Sequence, residues 1–154
     1  KSYAAGEKNI LFMGQVDDPM RYLRCFDIGI FPSSFSGESF PLFLLECFYA
    51  GLPVVTVATG EIANVMGRKP PCIVFPRASS EQLVTWMSKA IIDIARDRST
   101  YGDMASAARL RARDFSVDRL AEFYVEEFLA VARRETAGAN AAAAENDGWA
   151  RTMR

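Results

Sequence analysis

Glu38 and Glu46 are the residues best suited to chemistry, set in the run Pro32-Ser33-Ser34-Phe35-Ser36-Gly37-Glu38-Ser39-Phe40-Pro41-Leu42-Phe43-Leu44-Leu45-Glu46. One acid sits where a helix should begin and the other two turns inside it. In a helical frame Leu42 and Phe43 lie one turn before Glu46, and Tyr49 and Ala50 one turn after, so its face reads as apolar. An ionised carboxylate removed from water there needs a partner, either a polar ligand or a buried cation. The first turn of the same helix offers free backbone N–H groups and the positive end of its dipole, which suit a phosphate. Ser33, Ser34, Ser36 and Ser39 add hydroxyls. Glu38 would repel a phosphate it touched but can accept hydrogen bonds from sugar hydroxyls, and Glu46 can do the same for a ribose. A phosphate with hydroxyl-bearing groups on both sides describes a nucleotide-sugar.

Plainer explanations stand beside this one. Glu38 would gain from the helix dipole as any acid near an N-terminus does. A buried salt bridge to Arg24 or Arg68 would satisfy Glu46. The serines fit turns, and Asp17 and Asp18 fit cap and turn positions.

The elements that must position these residues alternate between strand and helix. Asn9 to Met13 and Asp27 to Phe31 are short apolar runs, ended by Gly14 and Pro32, that read as buried strands. Pro19 opens a short helix between them, capped by Asp17 or Asp18. The spacing predicts a helix over about 41–50 stopped by Gly51, a β-branched strand over 53–57, a short helix over 61–66 and a strand over 72–75. Three longer helices should follow. Ser79 and Gln82 form a capping box ahead of a stripe of Leu83, Met87, Ala90, Ile91 and Ile94. Tyr101, Met104, Ala105, Ala108 and Leu110 line a weaker stripe, and Ser116 caps a helix carrying Leu120, Phe123, Tyr124, Phe128 and Val131. Residues 136–154 have no stripe and read as linker or tail, with a marginal helix over 141–145. The expected fold class is α/β, a Rossmann-like parallel sheet with helices on both faces and a helical C-terminal segment. Ligands of such a sheet bind where its strands end at their carboxyl side, and Pro32 to Gly37 leaves one such end.

With 154 residues, half of them apolar, the chain can build one core. A net charge of −1 without a basic stripe argues against nucleic acid as a partner. There is no histidine, which removes Ser/His/Asp and Cys/His nucleophiles and His-ligated metals together. Cys25, Cys47 and Cys72 are odd in number and form no paired ligand motif, which suits a reducing cytoplasm better than a disulfide framework or a zinc site. Pro41, Glu46, Gly51 and Pro53 break the longest apolar stretch, so a soluble chain is expected. A start at Lys1 with a polar lead-in is expected of a piece cut from a longer polypeptide.

Gly14-Gln15-Val16-Asp17-Asp18, Phe26-Asp27-Ile28-Gly29-Ile30-Phe31-Pro32-Ser33, Gly37-Glu38-Ser39-Phe40, Leu44-Leu45-Glu46 and Ala50-Gly51-Leu52-Pro53-Val54-Val55 together resemble the retaining glycosyltransferases of family 4, which have the GT-B fold. The likeness covers about residues 9–135 and centres on that family's Glu-x7-Glu motif, met by Glu38 and Glu46. It implies a donor-binding domain over 1–135 without its first strand and Gly-rich loop. Glu38 would be the catalytic acid beside the donor sugar, and Glu46 would hold the ribose. The implied donor site further takes in Gly37, Ser39, Phe40, Pro41, Leu42 and Phe43 around the diphosphate, with Val16 and Asp18 near the base. The implied donor is a nucleotide-diphosphate sugar with no cofactor and no metal, the diphosphate leaving under electrostatic stabilisation. The implied partner is a glycan or lipid-linked acceptor, bound by an N-terminal domain that this stretch lacks, in a protein making polysaccharide or glycolipid. Such a piece would be inactive alone, and the full-length protein would lie in the cytoplasm or attach peripherally at the inner face of the membrane. Pro41 and Glu61 stand where the family usually has glycine: Pro41 removes one N–H from the phosphate site, and Glu61 replaces the second glycine of a Gly-Gly pair, which leaves open whether Thr59 and Gly60 approach the donor. Two other readings stay open: a GT-B epimerase acting on a nucleotide-sugar alone, and a non-catalytic Rossmann-like module of a larger protein.

Overall fold

The computed structural model describes residues 6–152 apart from 36, 40 and 67–70, and leaves the side chains of 64, 65 and 135–152 undescribed. Six helices and three strands are present among the described residues: α1 (Pro19–Leu23), β1 (Gly29–Phe31), α2 (Leu42–Ala50), β2 (Val54–Val57), α3 (Ile62–Val65), β3 (Cys72–Phe75), α4 (Ser80–Arg96), α5 (Arg98–Arg113) and α6 (Val117–Thr152). The strands form one parallel sheet in the order β1-β2-β3, with Gly29 opposite Val54 and Val54 opposite Cys72. Two compact units divide the chain, residues 1–111 and 112–154.

The central strand explains its own place. Val54, Val55, Thr56 and Val57 are all buried, as a parallel strand covered on both faces requires, and three of the four are valine. Alternation along β2 sends neighbouring side chains to opposite faces. Val55 and Val57 pack with Met87, Ala90 and Ile94 of α4, while Val54 points to the other face, beside Gly29 and Cys47 of α2. Helices therefore cover both faces, the expected Rossmann-like α/β arrangement. Thr56 is the one polar residue in β2, and its hydroxyl donates to the Phe31 carbonyl at 2.9 Å, so burying it leaves no orphan.

The local signals for the helices act as anticipated. Asp18 caps α1 by accepting from the Arg21 amide at 3.3 Å, with Pro19 opening the helix. Ser79 and Gln82 form the capping box of α4. Gly51 ends α2 at φ 77°, a left-handed conformation that costs glycine little, and its N–H turns back to the carbonyls of Cys47 and Phe48. Ser116 caps α6 through the Arg119 amide.

Four expectations need correction. Residues 9–13 form no strand, and Ile10, Leu11, Phe12 and Met13 are exposed, Leu11 to 81 %. An apolar run becomes a strand only where a neighbouring strand takes up its N–H and C=O groups, and none of the three described strands pairs with it. Leu110 is exposed rather than part of the α5 stripe, whose Ala105 and Ala108 are buried and whose Tyr101 and Met104 pack against the α4 cluster. The α6 stripe forms on a helix, yet Leu120, Phe123, Tyr124, Phe128 and Val131 are all half or more exposed. Finally, α6 runs on to Thr152, well past the marginal helix expected over 141–145. Extending an existing helix avoids the cost of nucleation, and an alanine-rich stretch propagates it well.

What seats α2 on the sheet is the absence of a side chain at Gly29. A Cβ there would lie 2.8 Å from Cys47 Sγ and 3.3 Å from Val54 Cγ2, closer than packed atoms tolerate. Gly29→Ala should therefore lower stability by about 1–3 kcal/mol, the usual cost of overpacking, measured by chemical denaturation. Combining it with Cys47→Ala should recover part of that loss, whereas additive losses would mean that the two positions do not meet.

Candidate functional site

The carboxyl ends of β1 and β2 lie side by side, and the loops leaving them are tied together. From β1 the chain passes through Pro32 to Ser39 into α2; from β2 it passes through Ala58 to Glu61 into α3. The main-chain ladder between the two strands ends at the Phe31–Thr56 pair. Thr59 takes over, its buried hydroxyl donating to the Ser33 carbonyl at 2.9 Å, and the Glu61 amide donates to the Glu38 carbonyl at 3.3 Å. Gly60, at φ 53°, sits so close that a Cβ would fall on the Glu38 carbonyl oxygen.

Glu38 is half-buried on this platform. The Ser33 hydroxyl donates to its Oε2 at 3.5 Å and itself accepts from the Phe35 amide at 3.3 Å. Gly37 and Ser39 are exposed on either side of it. Pro41 is buried at the N-cap of α2 and supplies no side-chain cap, so the opening amides of Leu42 and Phe43 receive none from it. The Phe43 ring stacks on Phe31 at 5.7 Å, anchoring the start of α2 against the end of β1. Phe40, like Ser36 and Arg68, lies outside the described residues.

Glu46 occupies a different environment from the one its sequence neighbours suggest. Leu44, Cys47 and Phe48 form the buried side of α2; Leu42, Leu45, Glu46 and Tyr49 form a second stripe, with Leu42 67 % exposed. Glu46 is thus half-buried rather than removed from water, because α2 is apolar all round and only one of its two stripes meets the sheet. Its stripe borders an open cleft of about 320 Å³ lined by Met20, Arg24, Leu42, Leu45, Glu46 and Tyr49. Arg24 shares that cleft, but no salt bridge joins it to Glu46 among the described residues.

The remaining candidates divide. Glu38, Ser39, Gly37, Pro41, Leu42 and Phe43 gather at the start of α2, with Glu46 further along the same helix. Asp18 is exposed with its carboxylate engaged in capping α1, and Val16 is half-buried in the segment before it. The family resemblance singles out Thr59 and Gly60 as residues whose approach to the donor is open; their grip on the Glu38 loop needed the fold. Another cleft, of about 250 Å³, is lined by Asp27, Ile28, Ile94, Ala95, Arg98 and Tyr101. Asp27 and Ile28 precede β1, so it opens at the amino end of the strands, away from both acids.

Cys47 adjoins Glu46 in sequence but faces the core. Burial, and secondarily the Glu46 charge, push its thiol from 9.0 up to about 12; burial and then Cys47 push Cys72 higher as well. A thiol raised in the folded state contributes stability that is complete below its unfolded value and is lost as pH rises through the window from 9.0 to about 12. At neutral pH a disulfide-exchange reagent should consume only the Cys25 thiol of the native chain and all three in denaturant; fast reaction of Cys47 in the native state would contradict this burial.

No helix among the described residues is long and apolar enough to cross a membrane. None of the curated proteins matches the chain. A family model described as glycosyl transferases group 1 matches residues 1–93, which include β1, α2, β2, β3 and both motif acids. The parallel α/β sheet suits that match, and the chain belongs to the group 1 glycosyl transferases.

Proposed function

We propose that the chain is the donor-binding domain of a retaining glycosyltransferase of family 4 type, which moves a sugar from a nucleotide-diphosphate sugar to a glycan or lipid-linked acceptor. The observation that carries this reading is the start of α2. Its first amides receive no cap from Pro41, and the acids beside it are differently held: Glu38 on the tied loops, Glu46 on an open cleft without a salt bridge among the described residues. An anion at the amides of Leu42 and Phe43 gains from N–H groups and dipole together. Glu46 then accepts from the ribose hydroxyls and Glu38 from the donor sugar, while Val16 and the start of α1 border the base.

On this reading residues 1–135 are the donor domain and the acceptor is held by another part of the protein. Gly37, Ser39 and Phe40 complete the loop around the diphosphate, and Pro41 shapes it without donating. Charge on the departing diphosphate is stabilised by these amides and by helix α2, with no cofactor or metal.

Titrating the chain with a nucleoside diphosphate should shift amide resonances over residues 37–46, with a dissociation constant in the high micromolar range or weaker. Shifts scattered elsewhere would count against the site. In the full-length enzyme, Glu46→Gln should reduce transfer by about 10- to 100-fold, the worth of a charged hydrogen bond, and Glu38→Gln by at least as much. Melting temperatures should stay nearly unchanged, since neither acid is fully buried. Unfolding in step with lost activity would assign both acids to structure.

A further inference from the structure

We propose that Thr59 and Gly60, at the end of β2, are positioning residues that set where the Glu38 carboxylate stands, so that the β2 loop governs recognition of the donor sugar. This rests on the donor-site reading above and adds residues that lie outside the Glu-x7-Glu motif.

The main-chain ladder between β1 and β2 ends at the Phe31–Thr56 pair. Two threonine hydroxyls extend the tie, Thr56 donating to the Phe31 carbonyl at that last pair and Thr59 to the Ser33 carbonyl beyond it, each at 2.9 Å. Ser33 is therefore held from below while its own hydroxyl reaches up to Glu38 Oε2 at 3.5 Å. From the other side the Glu61 amide holds the Glu38 carbonyl at 3.3 Å, and Gly60 lies flat against that same carbonyl with no room for a side chain. Glu38 is thus bracketed at its side chain and at its backbone by contacts that trace to residues 59–61. Thr59 is buried, 2 % exposed, so it acts on ligand through Ser33 and Glu38 rather than by touching it. A helix start that binds diphosphate does not depend on this bracket, because α2 is anchored separately at Phe43 through the Phe31–Phe43 stack.

The separation gives a readout that a merely structural role would not move. UDP-glucose and GDP-mannose, each compared with its free nucleoside diphosphate, are titrated into the chain and followed by amide shifts. Thr59→Val, which removes the hydroxyl and keeps the shape, should weaken the nucleotide-sugar that binds by about 5-fold, the worth of one hydrogen bond. The free diphosphate should stay within about two-fold, and Thr59→Ser should restore the sugar-dependent part. Ser33→Ala, on the half-buried loop, should give the same split without altering β2, which keeps the test decisive if Thr59→Val folds poorly. Equal weakening of sugar and free diphosphate, or no change in either, overturns the positioning role while leaving the donor site intact. A wild-type chain that binds neither probe at residues 37–46 overturns the donor-site reading and this one with it.

Discussion

Helix α2 can lie flat on β1 only because Gly29 has no side chain, and the site depends on that contact. Cys47 fills the space a Cβ would take, with Val54 of the central strand beside it. The contact settles how close the helix comes and which of its stripes faces inward. Leu44, Cys47 and Phe48 are committed to the sheet, and the stripe carrying Glu46 is turned toward α1 and solvent. It also determines where α2 begins, just beyond the carboxyl end of β1, where helix dipoles and strand ends jointly favour an anion. A larger residue at position 29 would shift the helix start and both acids with it.

The two acids are prepared in opposite ways. Glu38 is held by a hydrogen-bonded bracket from a neighbouring loop, which limits its freedom. Glu46 is left in an open cleft beside Arg24, with no salt bridge among the described residues. A half-solvated carboxylate pays less desolvation than a buried one and keeps its lone pairs available for a diol. Burial disfavours the anions of the nearby Cys47 and Cys72 thiols. The group 1 glycosyl transferase match spans residues 1–93, which include both acids.

Local signals in the sequence determined much of the fold. Proline and aspartate opening α1, the Ser79/Gln82 box, glycine after α2 and the valine-rich β2 each act through a few neighbouring residues, so chain order alone reveals them. The spacing of Glu38 and Glu46, and the likeness to glycosyl transferases, were legible for the same reason. Tertiary structure decided whatever depended on a partner distant in sequence. Residues 9–13 are apolar enough for a strand, but a strand needs a neighbour to take its hydrogen bonds. Helix α2 is apolar on every side, so periodicity could not say whether Glu46 faced the core, and only the Gly29–Cys47 contact chose. The hold of Thr59 and Gly60 on Glu38 links loops more than twenty residues apart, and no spacing rule within either loop encodes it.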